Sequence, residues 1–180
     1  MDAGSLQWVG WGWSGGFLIA FGYRLLLMFD DSLGRARVLQ ALDLGPCCLW
    51  VGAVLAVSGT LFRNWAVRSL GRFFTRTVQV SANQPVIDAG PYRWLRHPSY
   101  AGGLVSALGV AVALGSWIGV LAVGAGVTAG YMVRIRVEER ALGQTLGEPY
   151  RAYQLRTWRL VPFLYSLILV VDNGPWRLSR

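Results

Sequence analysis

An apolar run without any charge is the feature that most limits how this chain can fold. Residues 44–62 contain no charged side chain in 19 positions, close to the roughly 20 apolar residues that a helix needs to cross a bilayer. Residues 6–29, 100–114 and 117–133 are three further apolar segments. A backbone inside hydrocarbon must satisfy its own hydrogen bonds, so such segments are expected to be helices. The sequence therefore predicts an all-α fold, a polytopic membrane helix bundle with about four to five transmembrane helices.

The composition favours a membrane protein over a soluble one. Charged residues make up 14% of the chain and hydrophobic residues 54%, whereas soluble domains carry about 25% charged residues. The net charge of +8 comes from 17 basic residues, all of them arginine. Arginines beside apolar segments are expected to contact anionic lipid headgroups. We therefore expect these arginines to bind membrane lipids and not nucleic acid.

The distribution of arginine predicts the orientation in the membrane. Six arginines lie in residues 63–96 and six more in residues 134–159, the two regions that flank one apolar hairpin. Both regions must share one side, which the positive-inside rule assigns to the cytoplasm. The absence of lysine favours a bacterial source, so we expect a bacterial inner (plasma) membrane.

Glycine patterns in the apolar segments predict close helix packing. Residues 10–15 fit G-x-G-x-x-G, but a dinucleotide loop needs a preceding strand and a βαβ unit, and neither is expected here. Gly115 with Gly119, and Gly126 with Gly130, are small residues four apart, a spacing that lets helix backbones approach closely.

The first polar cluster, residues 90–102 (GPYRWLRHPSYAG), contains the only histidine, His97. The following Pro98 fits the first turn of a helix, where a missing N–H costs nothing. One interpretation is structural: His97 caps this helix and hydrogen-bonds its first turn. The other is functional: the helix N-terminus and Arg96 form a site for a carboxylate or phosphate.

The second polar cluster, residues 134–153, supplies the opposite charge through Glu138 and Glu139. These glutamates are either a solvated helix face, with pairs such as Glu138 and Arg134, or receivers of a cationic or polyhydroxyl ligand. Tyr150 and Tyr153 are three residues apart and share one helix face, where they could close over an adenine or a lipid chain. No metal site is expected.

Together the clusters resemble the isoprenylcysteine carboxyl methyltransferase family of integral membrane enzymes. The matching elements are G-x-Y-x-x-x-R-H-P-x-Y-x-G at 90–102, R-x-x-x-E-E-x-x-L at 134–142 and G-x-x-Y-x-x-Y at 147–153, closing on Pro162. The resemblance covers roughly residues 60–163, and its motifs identify the family more firmly than the substrate.

The resemblance implies an S-adenosylmethionine-dependent methyltransferase that binds its cofactor without a Rossmann domain, under a cytoplasmic C-terminal capping segment. The implied acceptor is a lipophilic or lipid-modified molecule that enters from the bilayer, such as a prenylcysteine-like or other small amphiphilic carboxylate. Carried over by motif position, the cofactor-binding residues are Tyr92, Arg96, His97, Pro98, Tyr100, Glu138, Glu139, Leu142, Tyr150 and Tyr153. The motifs do not fix a catalytic residue, and we hypothesise that Arg156 or Arg159 orients the acceptor carboxylate.

The sequence indicates a single integral membrane domain over residues 1–180. Residues 1–62 hold the N-terminal spans, residues 63–163 form the methyltransferase-like core, and residues 164–180 form a C-terminal extension. Within the core, residues 134–147 are expected to continue the fourth helix and residues 148–159 to form a turn or short helix. Residues 160–171 are apolar but too short to span, so we expect an interfacial or re-entrant piece.

Two other functions remain open. NADPH-dependent membrane sterol or lipid reductases share a similar R-H-P-x-Y hairpin but carry Asn before that tyrosine and Phe-Gly-Glu after it. This chain has Ser99 and residues 101–103 (AGG) at those positions, and its paired glutamates favour the methyltransferase. A non-enzymatic membrane scaffold would not need Arg-His-Pro and Glu-Glu on one side of the membrane.

Overall fold

The computed structural model describes residues 4–29, 44–71 and 85–160. Its helices are α1 (Ser5–Phe29), α2 (Cys48–Leu70), α3 (Pro98–Ala113), α4 (Trp117–Leu146) and α5 (Glu148–Arg156), with a 3₁₀ turn (Gly90–Arg93) before α3. These ranges contain no strand, and Leu95 pairs with Trp158 in an isolated bridge; the all-α class is confirmed. Predictions for residues 30–43, 72–84 and 161–180, including Pro162, the interfacial piece and the C-terminal extension, lie outside the described residues.

The first two helices begin and end close to the predicted apolar segments, with one extension. α1 matches residues 6–29, whereas α2 continues beyond Phe62 to Leu70. Gly71 ends it at φ 52°, a left-handed conformation that glycine adopts without a Cβ clash. Arg63 and Arg68 therefore lie on the last turns of a continuous helix that begins with apolar residues.

The apolar hairpin of α3 and α4 forms as its turn residues predict. Gly115 has φ 77°, and the Ser116 hydroxyl accepts a hydrogen bond from the Gly119 amide at 3.3 Å, which caps α4. α4 then runs for 30 residues, so its second half carries the second polar cluster away from the apolar half. Among the described helices, α4 has the length and apolar composition needed to cross a membrane, and α3 is a shorter apolar helix.

Small residues let two pairs of helices touch backbone to backbone. A Cβ on Gly59 of α2 would lie 2.7 Å from the Gly102 carbonyl oxygen of α3. On the other pair, a Cβ on Gly126 of α4 would lie 2.7 Å from the Gly12 oxygen of α1, and one on Gly130 would lie 2.8 Å from the Trp8 oxygen. The packing interpretation is confirmed for Gly126 and Gly130, and Gly12 lies inside a helix rather than a nucleotide loop.

This packing gathers four helix ends at one end of the bundle. The contacts run in the order α2, α3, α4, α1, with neighbouring helices antiparallel. The C-terminal ends of α2 and α4 therefore lie beside the N-terminal ends of α1 and α3. Large apolar side chains on the outer faces of α1 and α2 are exposed, including Trp11 and Trp50. Such a surface suits lipid rather than water.

We predict that Gly59→Ala lowers the free energy of unfolding by about 1–3 kcal/mol, the usual cost of overpacking a tight interface. The added Cβ has no room against α3, because the opposing atoms belong to the backbone. Thermal unfolding of the detergent-purified protein measures the change. Gly22→Ala is the matched control, since a Cβ there meets nothing within 4 Å. Equal stability of the two variants would contradict the packing described here.

Candidate active site

Main-chain hydrogen bonds join the loop before α3 to the segment after α5. The Arg96 amide donates to the Trp158 oxygen at 2.8 Å, and the Trp158 amide donates to the Trp94 oxygen at 2.9 Å. The His97 amide donates to the Arg159 oxygen at 3.2 Å. Residues 62–64 positions apart in sequence are thus held side by side.

The side chains from these two segments converge on one carboxylate. Arg96 Nη1 lies 3.1 Å and His97 Nε2 lies 3.2 Å from Glu139 Oε1. Arg159 Nε donates to Oε2 at 2.9 Å, and its Nη2 contacts the same oxygen. We call Arg96, His97, Glu139 and Arg159 the Glu139 cluster.

The Glu139 cluster is buried, so its members depend on one another. Side-chain exposure is 3% for His97, 7% for Glu139, 8% for Arg96 and 19% for Arg159. Removing a carboxylate from water costs several kcal/mol unless charged partners and hydrogen bonds compensate it. Here both carboxylate oxygens have such partners, and the arrangement is a fixed, largely dry group of charges.

His97 occupies the capping position of α3 but does not cap the helix with its side chain. The residue precedes Pro98, and its imidazole makes no hydrogen bond to the first turn. The structural interpretation of His97 is therefore wrong for the side chain. Burial and the contact with Glu139 assign the imidazole to the Glu139 cluster instead.

The neighbouring glutamate has different partners. The Tyr100 hydroxyl donates to Glu138 Oε2 at 2.9 Å, and Arg134 Nε donates to the Tyr100 oxygen at 2.8 Å. The side chains of consecutive helical residues point in directions about 100° apart. Glu138 and Glu139 therefore contact different residues. The Tyr100 hydroxyl thus links Arg134 to Glu138, and Arg134 is buried instead of lying on the solvated helix face that one interpretation predicted.

The two tyrosines of α5 pack into the same region. Tyr150 and Tyr153 are both 3% exposed, with ring centres 6.0 Å apart. The Tyr153 hydroxyl donates to the Tyr92 oxygen at 2.8 Å and the Leu95 oxygen at 3.3 Å, which holds α5 on the loop before α3. Burial raises the pKa of both hydroxyls, so each is a neutral hydrogen-bond donor at physiological pH.

The remaining predicted residues lie around this centre, with one exception. Tyr92 and Pro98 are buried beside it, and Leu142 is half-buried one turn beyond Glu139 on α4. Arg156 is exposed: it pairs with Asp88 at 2.8 Å and lies over the Tyr153 ring at 5.7 Å. The structure brings Arg159 into the Glu139 cluster and leaves Arg156 on the exposed surface of α5.

Two arginines of this region were not among the predicted site residues. Arg134 is buried against Tyr100, and Arg63 reaches from α2 to donate to the Ser99 oxygen at 3.1 Å. The motif R-x-x-x-E-E carried the signal for Arg134, because it places that residue one turn before Glu138. Arg63 directly follows the apolar run that ends at residue 62. A charged residue at this position of an apolar helix is a candidate functional residue.

The chain is also similar to known proteins. The family model for the isoprenylcysteine carboxyl methyltransferase (ICMT) family matches residues 51–144. The chain is 31% identical over 118 residues to the protein-S-isoprenylcysteine O-methyltransferase of Dictyostelium discoideum, covering 64% of this chain and 50% of that protein. It is 32% identical over 117 residues to the probable protein-S-isoprenylcysteine O-methyltransferase of Oryza sativa subsp. indica, covering 64% and 61%.

A solved structure shows the same fold. The eukaryotic intramembrane Ras methyltransferase ICMT superposes with a TM-score of 0.59 at 26% sequence identity, over 83% of this chain and 50% of that chain. This chain therefore spans between half and about three fifths of the length of these relatives.

We predict that Glu139→Gln lowers the free energy of unfolding by about 3 kcal/mol, because it leaves buried guanidinium groups facing each other without a carboxylate. Thermal or denaturant unfolding in detergent measures the loss. Glu148→Gln is the control, since Glu148 is 79% exposed and pairs with the exposed Arg151, a kind of pair that contributes little. If the two variants are equally stable, the Glu139 cluster is not the electrostatic centre described here.

Proposed function

This chain belongs to the isoprenylcysteine carboxyl methyltransferase family, and we propose that it is an S-adenosylmethionine-dependent methyltransferase. The proposed reaction is O-methylation of the carboxyl group of a prenylcysteine-like or other small amphiphilic acid. The observation that carries the proposal is the buried Glu139 cluster, built from the Arg-His-Pro and Glu-Glu motifs. A membrane scaffold has no need to bury such a group of charges at one end of its bundle.

The residues present suit the proposed cofactor. Its ammonium and ribose hydroxyl groups suit the Glu139 carboxylate, its own carboxylate suits the guanidinium of Arg96, and its adenine suits the buried aromatic side chains of α5. We propose that it is held by Tyr92, Arg96, His97, Pro98, Tyr100, Glu138, Glu139, Leu142, Tyr150 and Tyr153. When bound, S-adenosylmethionine supplies a sulfonium methyl group that a carboxylate oxygen can take without any proton transfer.

The side chains then act by positioning and by excluding water. An acceptor carboxyl group has an unperturbed pKa near 4, so it is ionised at neutral pH and needs no general base. What the protein supplies is alignment of the reacting atoms in a dry site. We propose that Arg159 orients the acceptor carboxylate from inside the Glu139 cluster, with Arg156 as the second candidate.

The fold supports a substrate that arrives through the membrane. The apolar outer faces of α1 and α2 suit a lipid environment, and the polar clusters lie at one end of the bundle. We propose about four to five spans, with this end facing the cytoplasm of a bacterial inner membrane, where arginine-rich segments are retained. α5 and the residues after it would form the cap over the cofactor. The lipid chain of the acceptor would remain in the bilayer while its carboxylate reaches the Glu139 cluster.

We expect the detergent-purified protein to transfer a radiolabelled methyl group from S-adenosylmethionine to farnesylcysteine acid. The product should release its label as methanol in base, because a carboxyl ester hydrolyses there and a methylated amine does not. A base-stable product would move the proposal from carboxylates to amines. Absence of transfer to farnesylcysteine and to simpler lipophilic acids, in protein that is folded, would contradict the proposed reaction.

Arg159→Lys should lower kcat/KM for the acceptor acid by roughly ten- to a hundredfold, because lysine keeps the charge but loses the planar pair of donors. Steady-state methyl transfer measures this change. Arg151→Lys is the control, since Arg151 is exposed and pairs with Glu148. A loss confined to Arg156→Lys would assign the orienting role to Arg156 instead.

A further inference from the structure

One buried polar atom of the site has no role in the fold. The Tyr150 hydroxyl is shielded from solvent and has no hydrogen-bond partner among the residues that the structure describes. A buried donor without a partner costs about 1–3 kcal/mol, so folding alone would favour phenylalanine here. Three residues along α5, the Tyr153 hydroxyl has main-chain partners. The two tyrosines therefore differ in hydrogen bonding although they share a helix face.

The surroundings of the Tyr150 hydroxyl select the kind of group it would bind. The Tyr150 ring lies 6.0 Å from that of Tyr153, whose hydroxyl donates to the oxygen of Leu95, the residue before Arg96. The charges of Glu139 and Arg96 act on the Tyr150 hydroxyl at this place. Guanidinium groups only donate hydrogen bonds, and the tyrosine hydroxyl remains protonated. A ligand atom that contacts both Tyr150 and Arg96 must therefore accept hydrogen bonds. Two guanidiniums and an imidazole converge on the adjacent Glu139, so a negatively charged acceptor is favoured over a neutral one.

We propose that the Tyr150 hydroxyl and the Arg96 guanidinium form a carboxylate subsite at the edge of the Glu139 cluster. The inference rests on the proposed function and deepens it, because both molecules of the proposed reaction carry a carboxylate. One is the α-carboxylate of S-adenosylmethionine, and the other is the carboxyl group of the amphiphilic acceptor. Tyr150 then acts through its hydroxyl, rather than through its ring alone.

The test compares ligands with and without the carboxylate. Tyr150→Phe removes only the hydroxyl, and calorimetry in detergent gives its affinities for S-adenosylmethionine and for decarboxylated S-adenosylmethionine. A second pair of titrations uses farnesylcysteine acid and its carboxamide. Because the variant fills the same space and loses no internal hydrogen bond, we expect its melting temperature to equal or exceed that of the wild type. Tyr153→Phe is the comparison, since its lost main-chain hydrogen bonds should lower the melting temperature.

If the subsite binds the cofactor, Tyr150→Phe lowers the affinity for S-adenosylmethionine by about ten- to a hundredfold. The affinity for the decarboxylated analogue then stays the same. If the subsite binds the acceptor, the variant lowers the affinity for farnesylcysteine acid by the same factor. Its affinities for the carboxamide and for both forms of the cofactor then stay the same. Either result supports the subsite and identifies its source. The subsite would be overturned if the variant lowered the affinities for a carboxylate ligand and for its analogue without the carboxylate by the same factor. It would also be overturned if no affinity changed.

Different results would contradict the proposed methyltransferase function and the proposed carboxylate subsite. Wild-type protein that binds no S-adenosylmethionine would contradict the methyltransferase function. The acid and carboxamide titrations would still decide whether Tyr150 binds a carboxylate. Conversely, a protein that binds S-adenosylmethionine normally but is indifferent to Tyr150→Phe with every ligand would retain the proposed function and lose the subsite.

Discussion

A single buried carboxylate holds the polar end of this protein together. Glu139 accepts hydrogen bonds from the loop before α3, through Arg96 and His97, and from the segment after α5, through Arg159. Such a group is stable only if all of its members are in place, because each one left alone would be a buried charge or an unpaired polar group. The cluster thus links three parts of the chain.

The rest of the fold serves to bring those parts together. Small residues allow α2 to pack against α3 and α1 against α4 in backbone contact, and antiparallel packing places the relevant helix ends on one side. The 30-residue α4 is long enough to cross the apolar layer and to carry Glu138 and Glu139 beyond it. Arginines at the same end stabilise the cytoplasmic orientation that we propose, by the positive-inside rule. The position of the site residues in this chain consequently depends on how the helices pack.

Much of this arrangement could be predicted because it depends on local pattern. Apolar runs gave α1 to α4 to within a few residues, except that α2 continues to Leu70, and the turn at Gly115 follows from glycine and serine chemistry. The two polar clusters meet as expected. What sequence could not provide is the choice of partner within the site. The imidazole of His97 turns to α4 instead of capping α3, and Tyr100 intervenes between Arg134 and Glu138.

The same limit explains the two candidate arginines. Arg156 and Arg159 are three residues apart, and no local rule separates them. The pairing of Leu95 with Trp158 does, because it draws Arg159 against Glu139 while α5 leaves Arg156 at the surface with Asp88. This pairing joins residues more than 60 positions apart, so it follows from the tertiary fold and not from a motif. The hydroxyl of Tyr150 is a similar case, since its lack of a partner is visible only once its neighbours are in place.

The most direct test of the account is calorimetric titration of the detergent-purified protein with S-adenosylmethionine and, separately, with NADPH, using wild type and His97→Ala. We predict micromolar binding of S-adenosylmethionine that is lost in the variant, and no binding of NADPH. Binding of NADPH without S-adenosylmethionine would contradict the methyltransferase and favour a reductase. Binding of S-adenosylmethionine that survives the loss of the imidazole would contradict the assignment of the cofactor to the Glu139 cluster.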